Sequence, residues 1–307
     1  MTQPYVVVVG GANIDIEGQS RGPLLARDSN PGRVRLSPGG VGRNMAHNAA
    51  LLGLSVQLLT AFGQDAYARE LQQSCQQWGI DISGAAVLPE ERTSTYLFIA
   101  GPDGEMELAV SDMEIYEAFG PAQLRPQLAR LQGAAAVAMD TNLTAETLAW
   151  LAQTVEAPLF ADPVSTAKAG KLLPVLGKLH TIKPNRLEAE LLTGISITDG
   201  ESLRQAAAVL LQTGIQRVFI SLGPDGVLAA DKTEMLCLPN FPARVKNATG
   251  GGDAVMAGLL WAYVQGLSLR ESARAGLAAS SLAVEGAQTI NEAISPAALL
   301  ARLAQNP

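Results

Sequence analysis

A chain of 307 residues with 48% hydrophobic and 17% charged side chains can bury a large core, which excludes a disordered protein. Its net charge of −7 is spread along the chain with no run of Lys and Arg, which excludes a nucleic-acid surface or an anionic membrane as a natural partner. Two cysteines outside any CxxC pattern, Cys75 and Cys237, and two histidines, His47 and His180, leave no material for a disulfide framework, a zinc site or a Ser-His-Asp triad. Both thiols read as buried or incidental. With no basic leader and no apolar stretch of about twenty residues, the chain is expected to be soluble and cytoplasmic.

In chain order, the β-branched run Tyr5 to Val9 closes on Gly10-Gly11, the pattern of a strand buried on both faces. A dinucleotide-binding start is excluded, because GGANID lacks the GxGxxG spacing. Asn13 and Asp15 follow the strand end, and in extended backbone their side chains share one side. An amide and a carboxylate there suit sugar hydroxyls, and a turn capped by Asn and Asp is the plainer alternative. Gly18 to Leu36 reads as short strands and turns.

The helix after Gly39-Gly40 carries Val41, Met45, Ala49 and Leu52 on one stripe and Asn44 and Asn48 on another. Gly39, Gly40 and Gly42 let the backbone approach a ligand, and Asn44 is placed to bridge two hydroxyls. His47 reads as a helix-surface or interface residue. A strand over Val56 to Thr60 and a helix over Ala66 to Gln77 come next. Thr93 to Ser111 reads as a hairpin about Asp103-Gly104. Strand Ala134 to Met139, helix Ala145 to Thr154 and strand Leu159 to Ala161 then restore the βα rhythm, which predicts a parallel sheet. Asp140, Asn142 and Asp162 each follow an apolar strand and are candidates of second rank on its ligand-facing edge.

Pro184 ends a strand, and Arg186 begins a helix with Glu188 in its first turn; Asn185 and Glu188 also have the spacing of a capping box. Arg217 to Val227 reads as strand, Pro-Asp-Gly turn and strand. In Asn247-Ala248-Thr249-Gly250-Gly251-Gly252-Asp253 the glycine N–H groups can converge on an anion, helped by the dipole of the helix that follows. Asp253 is then placed to take a proton from a hydroxyl attacking phosphorus. The alternative is an ordinary helix start with an acidic first turn. The stretch Ala254 to Val264 is apolar nearly all round and should be buried. Leu267 to Val284 and Ala297 to Ala304 look helical.

GGGDAVMAG, together with PGGVGRNMA far upstream, resembles the two signatures of the PfkB (ribokinase-like) carbohydrate kinases. That resemblance implies an α/β, ribokinase-like three-layer sandwich over 1–307, with a mostly parallel central sheet flanked by helices. It also implies a small β-sheet lid from insertions at about 17–37 and 92–112, which can pair subunits into a homodimer. Asp253 becomes the catalytic base, and Gly250, Gly251 and Gly252 the cradle for the travelling phosphoryl group. Asn13, Asp15, Gly39, Gly40 and Asn44 hold the sugar. Asn185, Ser221, Gly223, Gly226, Gly250 and Gly252 hold ATP, while Glu188 orders magnesium. Many relatives carry Asp where this chain has Asn247, which puts a monovalent cation (K+) beside that loop in doubt. Within the family, Asp28-Ser29-Asn30-Pro31-Gly32, PGGVGRN and KPNRLEAE resemble the pseudouridine kinases, with Asp28, Ser29, Asn30, Thr93, Tyr96 and Asp112 as readers of a nucleoside base. Another sugar or nucleoside kinase, or a non-catalytic ligand sensor on the same scaffold, are the alternatives.

Overall fold

Val6 and Val8 point to one side of the first strand and Val7 and Val9 to the other, and each pair enters a separate hydrophobic core. All four are fully buried, so this strand lies at the centre of a layered molecule. The computed structural model describes residues 4–305.

Its strands are β1 (Tyr5–Val9), β2 (Asn13–Ser20), β3 (Gly32–Gly39), β4 (Ser55–Leu59), β5 (Ala61–Phe62), β6 (Ala86–Val87), β7 (Thr95–Ala100), β8 (Met106–Asp112), β9 (Ala136–Asp140), β10 (Leu159–Asp162), β11 (Thr181–Ile182), β12 (Arg217–Ser221), β13 (Val227–Asp231) and β14 (Met235–Leu238). The central sheet has eight strands in the order β14-β13-β12-β11-β10-β9-β1-β4. From β4 to β12 neighbours run parallel, and β13 and β14 close the edge antiparallel.

One face of this sheet packs on the helices Val41–Leu51, Gly251–Val264 and Leu269–Ala283, and the other on Ala145–Thr154, Arg186–Thr193 and Gly200–Gln212. The result is the expected three-layer sandwich. Gly258 and Gly276 let the helices Gly251–Val264 and Leu269–Ala283 pack closely, since a Cβ on Gly258 would come within 2.6 Å of the Ala275 carbonyl. The helix Gly200–Gln212, capped by Asp199, is one that the sequence reading leaves unnamed.

A smaller four-stranded sheet, β3-β2-β7-β8, stands off the carboxyl edge of β1. The stretch read as short strands and turns is in fact a long hairpin, in which Asn13 pairs with Gly39 at the base and Ser20 with Gly32 at the tip. No helix of the described residues is long and apolar enough to cross a membrane.

Candidate active site

The chain leaves β1 toward β4 on one side and returns through β9 on the other, so strand order reverses beside Val9. Such a reversal opens a crevice at the carboxyl edge of a parallel sheet. Asp140, at the end of β9, fastens that crevice. Its Oδ2 accepts the Gly11 N–H at 2.8 Å and its Oδ1 the Asn142 N–H at 2.8 Å. Burial pushes this carboxyl up to about 6. The Lys168 ammonium donates to the Asn142 Oδ1 at 2.6 Å.

Past the Gly10-Gly11 turn the chain extends as β2, and Asn13 and Asp15 do share a side. The Asn13 amide donates to the Asp15 carboxylate at 2.6 Å. A Cβ on Gly39 would displace the Asp15 carboxylate from its place beside Asn13. Gly40, at φ 94, lies against the Gly11 carbonyl. Residues 13, 15, 39 and 40 therefore meet at the base of the hairpin.

The glycine run behaves as its composition demands. Gly250 sits at φ 84 and caps the helix that begins at Gly251, three residues earlier than its apolar run suggests. A Cβ on Gly250 would strike the Thr289 carbonyl. In this first turn the N–H groups of Gly252 and Asp253 meet no acceptor among the described residues, leaving open donors at the positive end of the helix dipole. Because the helices Val41–Leu51 and Gly251–Val264 lie against one another, Asn44 reaches Asp253, and its Nδ2 donates to Oδ2 at 2.9 Å.

Asp253 sits in an acidic setting. Burial first, and the neighbouring Asp162 and Asp140 charges after it, push its carboxyl up to about 7 against the opposing pull of Asn44 and Lys183. Lys183, 5% exposed, forms an ion pair with Asp162 at 3.0 Å. Burial works against this ammonium, but the Asp162, Glu188 and Asp253 charges outweigh it and raise its pKa. The Lys183 Nζ would stand 3.4 Å from a Cβ on Gly252, which puts the ammonium of this ion pair beside the glycine run. Asp162 is held in place by the Val164 N–H at 2.8 Å, with Val164 at φ 64. A β-branched residue in that region carries strain, of order 1–3 kcal/mol. Lys183 is the site residue that sequence reasoning passes over; its position at a strand end, just before Pro184, is the signal.

Asn185 and Ser221 are bridged side by side at the ends of neighbouring strands. Asn185 and Glu188 form a complete capping box, Glu188 N–H to Asn185 Oδ1 at 2.9 Å and Asn185 N–H to Glu188 Oε2 at 2.8 Å. Burial raises the Glu188 carboxyl. Gly223, at φ 60, faces open space, whereas Gly226 is packed under the Leu238 carbonyl.

Several predicted readers do not join this site. Asp28, Ser29 and Asn30 lie at the tip of the β2–β3 hairpin, seven strand positions from Asn13, roughly 23 Å at strand rise. Asn30 serves its own loop, bonding the Leu25 N–H at 2.8 Å and the Leu25 carbonyl at 3.0 Å. Thr93 ties Gly63 and Asp65 together. Tyr96 is the cross-strand neighbour of Asp15 and shares its sheet face, but Asp112 pairs with Thr95 and by alternation falls on the opposite face. His47 is not a surface residue. It is buried beside Arg43, lies tilted against the Trp78 ring, and is pushed down to about 3 by burial and the Arg43 charge. Cys75 is buried and Cys237 exposed, both as free thiols.

Residues 3–296 match the model of the pfkB family carbohydrate kinases. The chain is 41% identical over 293 residues to a pseudouridine kinase from Escherichia coli, covering 95% of this chain and 94% of that one. It is 25% identical to a guanosine-inosine kinase from Exiguobacterium acetylicum, over 89% of this chain and 91% of that one. Among solved structures, a putative sugar kinase from Clostridium perfringens superposes with a TM-score of 0.88 at 30% identity, covering 99% and 96% of the two chains. A ribokinase from Arabidopsis thaliana, complexed with ribose and ATP, superposes with the same TM-score at 23% identity, covering 98% and 99%, a likeness of fold.

Proposed function

Because the chain belongs to the pfkB family of carbohydrate kinases, we propose that it transfers the γ-phosphoryl group of ATP to the 5'-hydroxyl of pseudouridine, with Asp253 as base. The observation that carries this reading is the meeting, at one sheet edge, of Asp253, Asn44 and the open amides of the glycine run. The acceptor is carried by the 41% identity to a pseudouridine kinase over 95% of the chain.

In the step itself the acceptor O–H gives its proton to Asp253, its oxygen forms the new bond to phosphorus, and the bond from the γ-phosphorus to the bridging oxygen breaks to release ADP. The open amides of Gly252 and Asp253, and the Lys183 ammonium below them, oppose the charge on the moving group. Asn13, Asp15, Gly39, Gly40 and Asn44 hold the ribose, with Tyr96 on the lid side. Asn185, Ser221 and Gly223 line the nucleotide's side.

Magnesium would arrive with the nucleotide. No cluster of three His, Cys, Asp or Glu exists among the described residues, which fits an ion that keeps most of its waters and takes phosphate oxygens as ligands. Glu188 uses one bond on each oxygen for the Asn185 cap and has lone pairs left for metal-bound water. The ion, when bound, neutralises phosphate charge. Asn247 brings a neutral amide where many relatives carry a carboxylate, and its oxygen accepts the Thr249 N–H at 2.9 Å; without that negative charge, exchanging potassium for sodium is expected to leave turnover little changed.

We place the enzyme in the cytoplasm, where its two free thiols persist. We further propose a homodimer joined through the lid. Val34, Leu36, Leu97, Leu108 and Val110 share one face of the small sheet by their pairing, and Val34 and Leu108 are 69% and 63% exposed.

The test is ADP formation with pseudouridine, uridine, adenosine, ribose and fructose as acceptors. Pseudouridine is expected to give the highest kcat/KM. A better acceptor in that panel overturns the substrate, and no acceptor-dependent ADP formation at all overturns the kinase in favour of a sensor.

A further inference from the structure

Between the substrate-side residues Gly39 and Asn44 lies Arg43, a charged side chain inside the protein. It is 3% exposed, and it belongs to none of the ion pairs among the described residues. A buried guanidinium without a carboxylate is costly and needs acceptors on all sides. Arg43 finds them in the Pro38 carbonyl at 2.8 Å, the Gly39 carbonyl at 3.1 Å, the Asn44 Oδ1 at 2.6 Å and the His47 Nδ1 at 3.3 Å.

Arginine can only donate. The Asn44 oxygen is therefore the atom that faces Arg43, and its NH2 group is the one that faces Asp253. The same rule makes His47 Nδ1 the acceptor and leaves the ring proton on Nε2. Pro38 and Gly39 are the last residues of β3, where the lid springs from the body.

We propose that Arg43 is a positioning residue, which holds the Asn44 NH2 group on Asp253 and fastens that contact to the strand end at the base of the lid. The inference rests on the reading in which Asp253 takes the acceptor's proton. Without Arg43 the Asn44 amide is free to turn over and present its oxygen to the carboxylate. Two acceptors then face each other, which favours protonated Asp253. The other charged groups facing Asp253 are Asp162 at the end of β10, Lys183 just past β11 and Asp140 at the end of β9, while Asp15, the Cys75 thiol and Asp253 itself feel the Arg43 charge. Only the Arg43 charge changes in the test, and the double variant separates its direct pull on Asp253 from its hold on Asn44.

The experiment is the acid limb of kcat/KM for the acceptor in the wild type, Arg43→Met, Asn44→Ala and the double variant. Each single change is expected to raise the limb's midpoint by about one pH unit, the worth of one hydrogen bond to a charged group. The double variant should move it no further than Asn44→Ala alone, and KM for ATP should stay near the wild-type value. Arg43→Lys, which keeps a donor for Asn44, should bring the midpoint back. An unmoved midpoint in Arg43→Met overturns the proposal, and so do shifts that add in the double variant, the mark of a charge acting through space. Should Arg43→Met not fold, Arg43→Gln takes its place, because one amide cannot serve Pro38, Gly39 and Asn44 together, and the same outcomes decide. A wild type with no acid limb contradicts the reading of Asp253 itself, whereas a normal limb indifferent to Arg43 contradicts this inference alone.

Discussion

Asp253 is buried among other acidic groups of the crevice, and its behaviour with pH follows from those surroundings. Burial and Asp162 raise its carboxyl from an ordinary 3.8 to about 7. A base must be ionised to work, so kcat/KM for the acceptor is expected to rise with pH through a midpoint near 7, measured in the free enzyme's profile. A flat profile between pH 5 and 8 would contradict this. The same shift has a cost in stability. A carboxyl whose folded pKa lies above its unfolded one favours the fold while protonated, and that contribution is lost as pH rises from about 4 through 7. Asp253→Asn is therefore expected to raise Tm at pH 8, with the gain vanishing near pH 4, as thermal melts at the two pH values will show; an equal gain at both would contradict the assignment. Little of this was legible in the chain. The residue types were: glycines before an acid at a helix start. Their partners were not, because Asn44 lies 209 residues from Asp253 and meets it only through the packing of two helices.

At the scale of elements, β1 and the rhythm from β9 to β11 follow directly from apolar runs ending in Asp, Pro or Gly. Element ends were harder to place. The helix Gly251–Val264 starts inside the glycine run, against glycine's poor helix propensity, because Gly250 in the left-handed region and the crowding by Thr289 fix the turn there. The small sheet was legible as strands in the residues and as a sheet through the resemblance, but its two faces were not. Register decides that Tyr96 shares a face with Asp15 and that Asp112 does not, and register is invisible before pairing is known. Tyr96→Ala is accordingly expected to raise KM for the nucleoside more than KM for ATP, and Asp112→Ala to leave both near wild type. Steady-state kinetics with each substrate varied in turn checks this, and the reverse pattern would contradict the assignment of faces.

For the molecule as a whole, the βα rhythm was enough for a parallel sheet, and the resemblance carried by two distant motifs implied the three layers; the structure agrees, with β1 buried between two cores. The lid's apolar outer face is a property of the assembled sheet, since Val34, Leu36, Leu97, Leu108 and Val110 come from three strands. The dimer proposed on that face predicts that Val110→Glu sediments as a monomer at concentrations where the wild type is dimeric. A wild type that is monomeric throughout would remove the dimer.

The proposed transfer of the acceptor's proton to one carboxylate at the mouth of the glycine turn is decided by the single-turnover rate of phosphoryl transfer from ATP to pseudouridine in the wild type and in Asp253→Asn. Nucleoside binding is expected to be unchanged and the rate lower by roughly a hundred- to ten-thousand-fold, the usual worth of a general base. A rate within about a factor of ten of the wild type, well short of that range, would contradict it.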